Sequence, residues 1–191
     1  MRDLLALLTG AMLVNNIVLT QCLGLYPLLG TSGRVGTAVA MALATSMVLL
    51  LAAVGCSLLE TLVLAPLDLM ALRTPCQVLV IAVTVGFTER QVRHRWPLQH
   101  AQLGWLLPLA TANCGILGVT VLNGRLGRDP LESFVIGLGS ALGFSLVLIL
   151  FAAMQERLTV SDVPTPFRGA AITLITAGLA SLAFMGFAGL G

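Results

Sequence analysis

Charge is what this chain has least of. Only 9% of its 191 residues are charged, where a soluble domain carries roughly 25%. Lysine is absent, so the formal net charge of +2 rests on arginine. The arginines sit singly or in one short cluster at segment ends, where a position at a membrane surface accounts for most of them. They give no reason to expect a nucleic acid. Cysteine is also scarce: Cys22, Cys56, Cys76 and Cys114 all lie inside apolar stretches, and no CxxC occurs. Disulfide frameworks belong to small extracellular domains with cysteines in loops, so none is expected here. These thiols are either packing residues or cofactor ligands. No nucleotide-binding loop, Ser-His-Asp set, HExxH or EF-hand pattern is present. His94 and His100 have no acidic or cysteine partner at ligand spacing, which argues against zinc.

What the chain has in excess is apolar residues, 58% of the total. They fall into runs too long and too numerous for one globular core. A transmembrane helix needs about 20 apolar residues, so the length admits about six spans and no soluble domain. The expected segments run over about Leu4–Leu29, Val35–Leu59, Leu69–Phe87, Gln102–Leu122, Leu131–Met154, and Gly169 to the end. Met1, Arg2 and Asp3 before an apolar run superficially resemble a signal peptide. No small-x-small cleavage site follows, and Cys22 is preceded by Gln21, so the first segment is expected to stay as a membrane helix.

Two stretches break this apolar background: Tyr26-Pro27-Leu28-Leu29-Gly30 and Asn113-Cys114-Gly115-Ile116-Leu117-Gly118. Helix-breaking residues at membrane depth are tolerated only where the backbone is buried in protein or lines a cavity. Helices one and four are therefore expected to be broken, with Gly24 and Pro27 as available break points and Tyr26, which precedes the proline, as the favoured one. Paired breaks in matching halves point to a site near the midplane.

The halves do match in order. Tyr26-Pro27-Leu28-Leu29-Gly30-Thr31 corresponds to Cys114-Gly115-Ile116-Leu117-Gly118-Val119. Ser46-Met47-Val48-Leu49-Leu50-Leu51 corresponds to Ser145-Leu146-Val147-Leu148-Ile149-Leu150, and Thr74-Pro75 to Thr165-Pro166. The chain reads as one all-α membrane domain of six transmembrane helices, built as two three-helix repeats over about 1–90 and 101–191. Because three is odd, the second copy is inverted. Loops 1–2, 3–4 and 5–6 hold Arg34, then Arg90, Arg93 and Arg95, then Arg157 and Arg168. The opposite side holds Arg2, Arg73, Arg125 and Arg128. The positive-inside rule then puts the first set in the cytoplasm and both termini outside.

Several residues invite a chemical reading beside a structural one. Asn15 and Asn16, inside the first segment, either bond neighbouring helices or line a passage for an ion or cofactor. Cys114, flanked by Asn113 and Gly115, is either a small packing residue or a ligand. A cluster needs four ligands as a rule, so a site with scattered cysteines would be shared with a partner. Glu89, beside Arg90–Arg95, reads as part of a solvated ion-pair face at a loop. Two small-residue stripes, Gly36, Ala40 and Ala44 and then Gly139 and Gly143, suit close helix contact.

The runs Leu13-Val14-Asn15-Asn16, Leu23-Gly24-Leu25, Asn113-Cys114, Asp162-Val163-Pro164-Thr165-Pro166-Phe167-Arg168-Gly169, Leu174-Ile175-Thr176-Ala177-Gly178-Leu179 and Phe184-Met185-Gly186-Phe187 resemble the A-type subunits of Rnf (Rsx) electron-transport complexes. The E-type subunit of the sodium-translocating NADH:quinone reductase is related to them. The resemblance covers essentially the whole chain. It implies a six-helix subunit of the bacterial inner membrane with both termini periplasmic, paired with a homologous E-type subunit of inverted topology, beside other Rnf subunits. It further implies a [2Fe-2S] cluster shared by the two, with each contributing two cysteines from broken helices. Electron transfer between ferredoxin and NAD, or NADH and quinone, would be coupled to sodium or proton transport. Cys114 matches one family ligand. The family has cysteine immediately before Pro27, and here that position is Tyr26. Cys22 lies one helical turn away, about 6 Å along a helix, and is the candidate second thiolate, with Asn113 and Asn15 as candidate contacts around the cluster. The alternatives are a small stand-alone transporter on the same inverted repeat, or a scaffold subunit without a redox centre.

Overall fold

A computed structural model describes residues 2–21, 23–24, 35–95, 113–127, 129–161, 164 and 167–186. Every regular element among them is helical. α1 (Arg2–Thr9) runs into a π-helical turn, Gly10–Val14, and a four-residue helix, α2 (Ile17–Thr20), follows. α3 (Val35–Leu59) also ends in a π-helical turn, Glu60–Leu64. A short 3₁₀ turn, Met70–Leu72, leads into α4 (Arg73–Arg95). Then come α5 (Cys114–Arg125), α6 (Pro130–Val160) and α7 (Ala170–Met185).

Among the described residues, three stretches are long and apolar enough to cross a membrane: Val35–Leu64, Met70–His94 and Pro130–Val160. They agree with expected segments two, three and five, although all three run further than expected, the first through the π turn to Leu64. α4 continues through Glu89 and the arginines to Arg95, where a loop was expected, and α6 continues through Gln155, Glu156 and Arg157 to Val160. Arginine and glutamate are good helix formers. A change from apolar to polar sequence therefore marks where a helix leaves lipid rather than where it stops.

α3 and α6 form the central pair. Their contact is built from small residues: Ala38, Ala42, Ala52, Ala53, Ala141 and Ala152 are all buried. Met41, Phe144, Leu148 and Phe151 fill the space around Val18 and Leu19 of α2. A second cluster joins Val48 and Leu49 of α3 to Ile81 and Val85 of α4 and to Ile116 and Val119 of α5. In a lipid solvent such contacts are held by packing rather than by water exclusion, which favours small residues at the interface.

The glycines of α6 bear this out. A Cβ on Gly139 would lie 2.7 Å from the Leu8 carbonyl oxygen, and one on Gly143 would lie 2.6 Å from that of Met12. A Cβ on Gly137 would meet the Ala53 Cβ at 2.8 Å. One glycine stripe thus seats α1 and its π turn, and its neighbour seats α3. The other stripe is only partly used: Ala44 is buried, but Gly36 is exposed with no described neighbour within 4 Å of a Cβ there.

Apolar side chains also cover the outside. Val78, Leu79, Val83 and Phe87 of α4, with Leu174, Leu179 and Leu182 of α7, are exposed. A large outward apolar surface of this kind is what lipid contact requires.

Candidate functional site

The first helix breaks at Asn15 and Asn16, ahead of the break expected at Tyr26, which lies outside the described residues. Asn15 closes the π turn with its N–H donating to the Gly10 carbonyl at 2.7 Å, and its backbone (φ −102°, ψ 42°) leaves the helical region. Asn16 then repairs the break. Its Nδ2 donates to the Met12 carbonyl at 3.1 Å, and its Oδ1 accepts from the Val18 N–H at 3.2 Å. The Thr20 hydroxyl donates to the Asn16 carbonyl at 2.8 Å. Of the two asparagines, Asn16 is the buried one, at 1% exposure, and it serves the backbone. Asn15 is exposed to an open cleft that Gln21, Asn123 and Ser140 also line.

In segment four the described residues begin at Asn113, where a helix starts. α5 begins at Cys114, and Asn113 caps it, with its Oδ1 accepting from the Gly115 N–H at 3.0 Å. An asparagine at this position satisfies one of the donors that a helix start leaves open. Asn113 is buried, and its Nδ2 has no partner among the described residues. Residues 96–112, with Pro108 and Thr111, lie outside the described residues, and so do Cys22, Tyr26 and Pro27.

The first segment meets this helix start. The Gly24 N–H donates to the Cys114 Sγ at 3.1 Å, across ninety positions of sequence. Gly24 has φ +78°, and a Cβ there would stand 2.9 Å from Asn113 Oδ1 and 3.3 Å from Phe144 Cε2. Both facts require glycine: a left-handed backbone suits it, and no side chain fits. On the other face, a Cβ on Gly115 would lie 3.1 Å from Asn113 Oδ1 and 3.7 Å from the Leu23 carbonyl. Ser181 of α7 ties the same region down by donating to the Leu19 carbonyl at 2.7 Å.

Cys114 is exposed and free, while Cys56 is buried and free. The junction therefore presents one accessible thiol at a helix start, with a backbone N–H pointing at its sulfur. Among the described residues, no three His, Cys, Asp or Glu side chains gather at metal-binding distance. Asn113 lies directly beside Cys114, whereas Asn15 faces the separate cleft.

Glu89 departs from expectation. It is half-buried on α4, lines a surface recess with Gly86, Arg90, Arg93 and His94, and makes no ion pair among the described residues. The single ion pair found there joins Arg73 to Glu60 at the opposite end of α4. Sequence reasoning did not single out Glu60. Its signal was available, as an acid closing an apolar segment thirteen positions before an arginine that opens the next.

Fold and site together define a multi-pass helical membrane protein in which the segment after an interrupted first helix meets a helix start at one cysteine. A family model described as "Rnf-Nqr subunit, membrane protein" matches residues 4–191. The chain belongs to this Rnf-Nqr family. It is 58% identical, over all of its length and 98% of the relative's, to the A-type subunit of the ion-translocating oxidoreductase complex of Azotobacter vinelandii. Proteins of the same description from Citrobacter koseri and Escherichia coli are 55% and 54% identical over the same shares.

Proposed function

We propose that this chain is a membrane subunit of an ion-translocating electron-transfer complex, and that Cys114 supplies one thiolate to a [2Fe-2S] cluster shared with a homologous subunit of inverted topology. The single observation that carries the reading is the meeting of Gly24 and Cys114. It brings the first and fourth apolar segments together at one accessible sulfur. Relatives above 50% identity over the whole length, each described as the A-type subunit of an ion-translocating oxidoreductase complex, support the wider role.

The residues present fit one corner of such a cluster. Cys114 offers the thiolate, the Gly24 N–H a hydrogen bond to its sulfur, and the buried Asn113 Nδ2 a donor close by with no partner among the described residues. Hydrogen bonds to sulfur and burial are the means by which a protein sets a cluster's potential. Cys22 is the candidate second thiolate of this chain, since Tyr26 occupies the position at which the family carries cysteine. The partner subunit completes the four. When bound, the cluster supplies one-electron transfer through the low-dielectric interior. The chain's own contribution is to fix Cys114 against Gly24 and to exclude lipid with Phe144 and the α6 glycines.

The topology belongs to the same reading: six spans as two inverted repeats in the bacterial inner membrane, with the Glu89–His100 region cytoplasmic and both termini periplasmic. Affinity purification of the tagged chain from native membranes tests the assignment. Flavin-bearing and iron–sulfur subunits should co-purify, and the preparation should contain iron. A preparation of this chain alone, without iron and without partners, would favour the stand-alone transporter instead.

A further inference from the structure

α4 is the least buried of the three long spans, and one continuous stripe runs along its outward face. Leu79 and Val83 lie on it, 65% and 63% exposed. The same face continues through Gly86 to Arg90 and Arg93, since steps of three and four residues return to one side of a helix. Phe87 flanks the stripe and is also exposed. Gly86 leaves a gap in it, because nothing described lies within 4 Å of a Cβ there. The recess over this gap has a volume of about 570 Å³ and is lined by Gly86, Glu89, Arg90, Arg93 and His94. Arg90 and Arg93 are exposed, and neither makes an ion pair among the described residues.

Depth and charge say what meets this stripe. A helix rises about 1.5 Å per residue, so Arg90 and Arg93 stand roughly 26 and 30 Å along α4 from Arg73. Arg73 pairs with Glu60 at the other end of the span. The hydrocarbon core of a bilayer is about 30 Å thick. With Arg73 at one edge of it, the two exposed arginines reach the other edge, at the level of lipid phosphates, and Leu79 and Val83 lie among acyl chains. Counting formal charges with histidine neutral, Arg90, Arg93 and Arg95 stand against Glu89. The helix C-terminus adds about half a negative charge, which leaves this end of α4 positive. Neither helix packed on α4 changes that: α3 has no charged residue in Val35–Leu59, and the one charge of α5, Arg125, follows Gly124, which faces Arg73. An acidic soluble domain would meet the arginines but would not reach Leu79, roughly 16 Å deeper. A phosphodiester with apolar tails matches both ends of the stripe, and guanidinium groups bind phosphate oxygens in pairs.

We propose that the outward face of α4 binds one anionic phospholipid, with its phosphate held between Arg90 and Arg93, its glycerol seated in the recess over Gly86, and an acyl chain laid along Val83 and Leu79. The site uses neither the Cys114 junction nor a redox centre, so it stands or falls separately from the electron-transfer reading.

The test is native mass spectrometry of the purified full chain, titrated in detergent with dioleoyl phosphatidylglycerol or with dioleoyl phosphatidylcholine, which has the same tails and no net charge. One phosphatidylglycerol per chain should be retained, at least tenfold more tightly than phosphatidylcholine. Arg90→Gln with Arg93→Gln should abolish that preference. Arg125→Gln with Arg157→Gln, an equal loss of charge at two other exposed arginines, should keep it. Gly86→Leu leaves every charge in place and has open space for its Cβ, yet it should weaken binding by filling the recess. Excess glycerol 3-phosphate, the headgroup without tails, should not displace the lipid. Equal retention of the two lipids would overturn the proposal, as would displacement by glycerol 3-phosphate, which would reduce the recess to a phosphate site. Equal losses in the two double variants would mean a diffuse effect of charge and would overturn it too. So would a preference that survives Arg90→Gln with Arg93→Gln, which would leave those arginines to an acidic partner protein.

Discussion

Replacing Gly143 by alanine adds one carbon where the structure has no room for it. The new Cβ would fall 2.6 Å from the Met12 carbonyl oxygen, 2.9 Å from Asn16 Nδ2 and 3.2 Å from the Met12 Cα. Two of these three neighbours are backbone, so rotating a side chain cannot relieve them, and α6 must move away from the π turn by most of an ångström. Overpacking of this kind costs about 1–3 kcal/mol. The displaced atoms are those that repair the helix break, since Asn16 Nδ2 donates to that same Met12 carbonyl. Losing one such bond adds about 1 kcal/mol, for a total of about 2–4 kcal/mol. Gly178→Ala in α7 is the matched control, because no described atom lies within 4 Å of a Cβ there. It should be neutral or slightly stabilising, given alanine's higher helix propensity. Thermal unfolding of both purified variants in the same detergent reads the difference. Equal midpoints for the two would show that α6 and the first helix do not approach as closely as described.

Gly24→Ala should disturb the junction more than its size suggests. It combines a left-handed backbone, costing about 1–2 kcal/mol, with a contact of 2.9 Å to Asn113 Oδ1; a shift in the thiol-labelling rate of Cys114 reports it, and an unchanged rate counts against the contact. In the isolated parent chain, a maleimide should label exposed Cys114 quickly and buried Cys56 only after denaturation. Labelling of Cys56 at a comparable rate would contradict the packing of α3 against α4. Arg73→Ala should destabilise the chain by about 1–3 kcal/mol, because Glu60 is left mostly buried without its cation while residual solvent still screens it. A Glu60→Gln, Arg73→Met double variant should recover part of that loss in the same unfolding assay.

The membrane class was legible because lipid penalises charge so heavily that composition alone decides it. Helix ends were less so. The expected stops of α4 and α6 followed hydropathy, whereas hydrogen bonding carried both helices on to Arg95 and Val160. The first break was anticipated at Tyr26 from its proline. A break also occurs earlier, where Gly10–Val14 widens into a π turn that no residue-level signal marks. Asn113 and Cys114 stood out as polar groups within an apolar run, and they do open a helix. Gly24 stood out only as a place to bend; its role as donor to a sulfur ninety positions away depends on tertiary approach.

The most direct measurement of the central claim is iron content and the reduced-cluster spin signal of the purified complex carrying Cys114→Ser. Serine keeps the size of the side chain and the α5 start while removing the thiolate, so assembly should persist while both signals fall. Cys56→Ser and Cys76→Ser, made in parallel, should leave them at parental levels, and Cys22→Ser should lower them if that residue is the second ligand. Full iron and an unaltered spin signal in Cys114→Ser would mean that this cysteine is a packing residue and that electrons cross the complex without it.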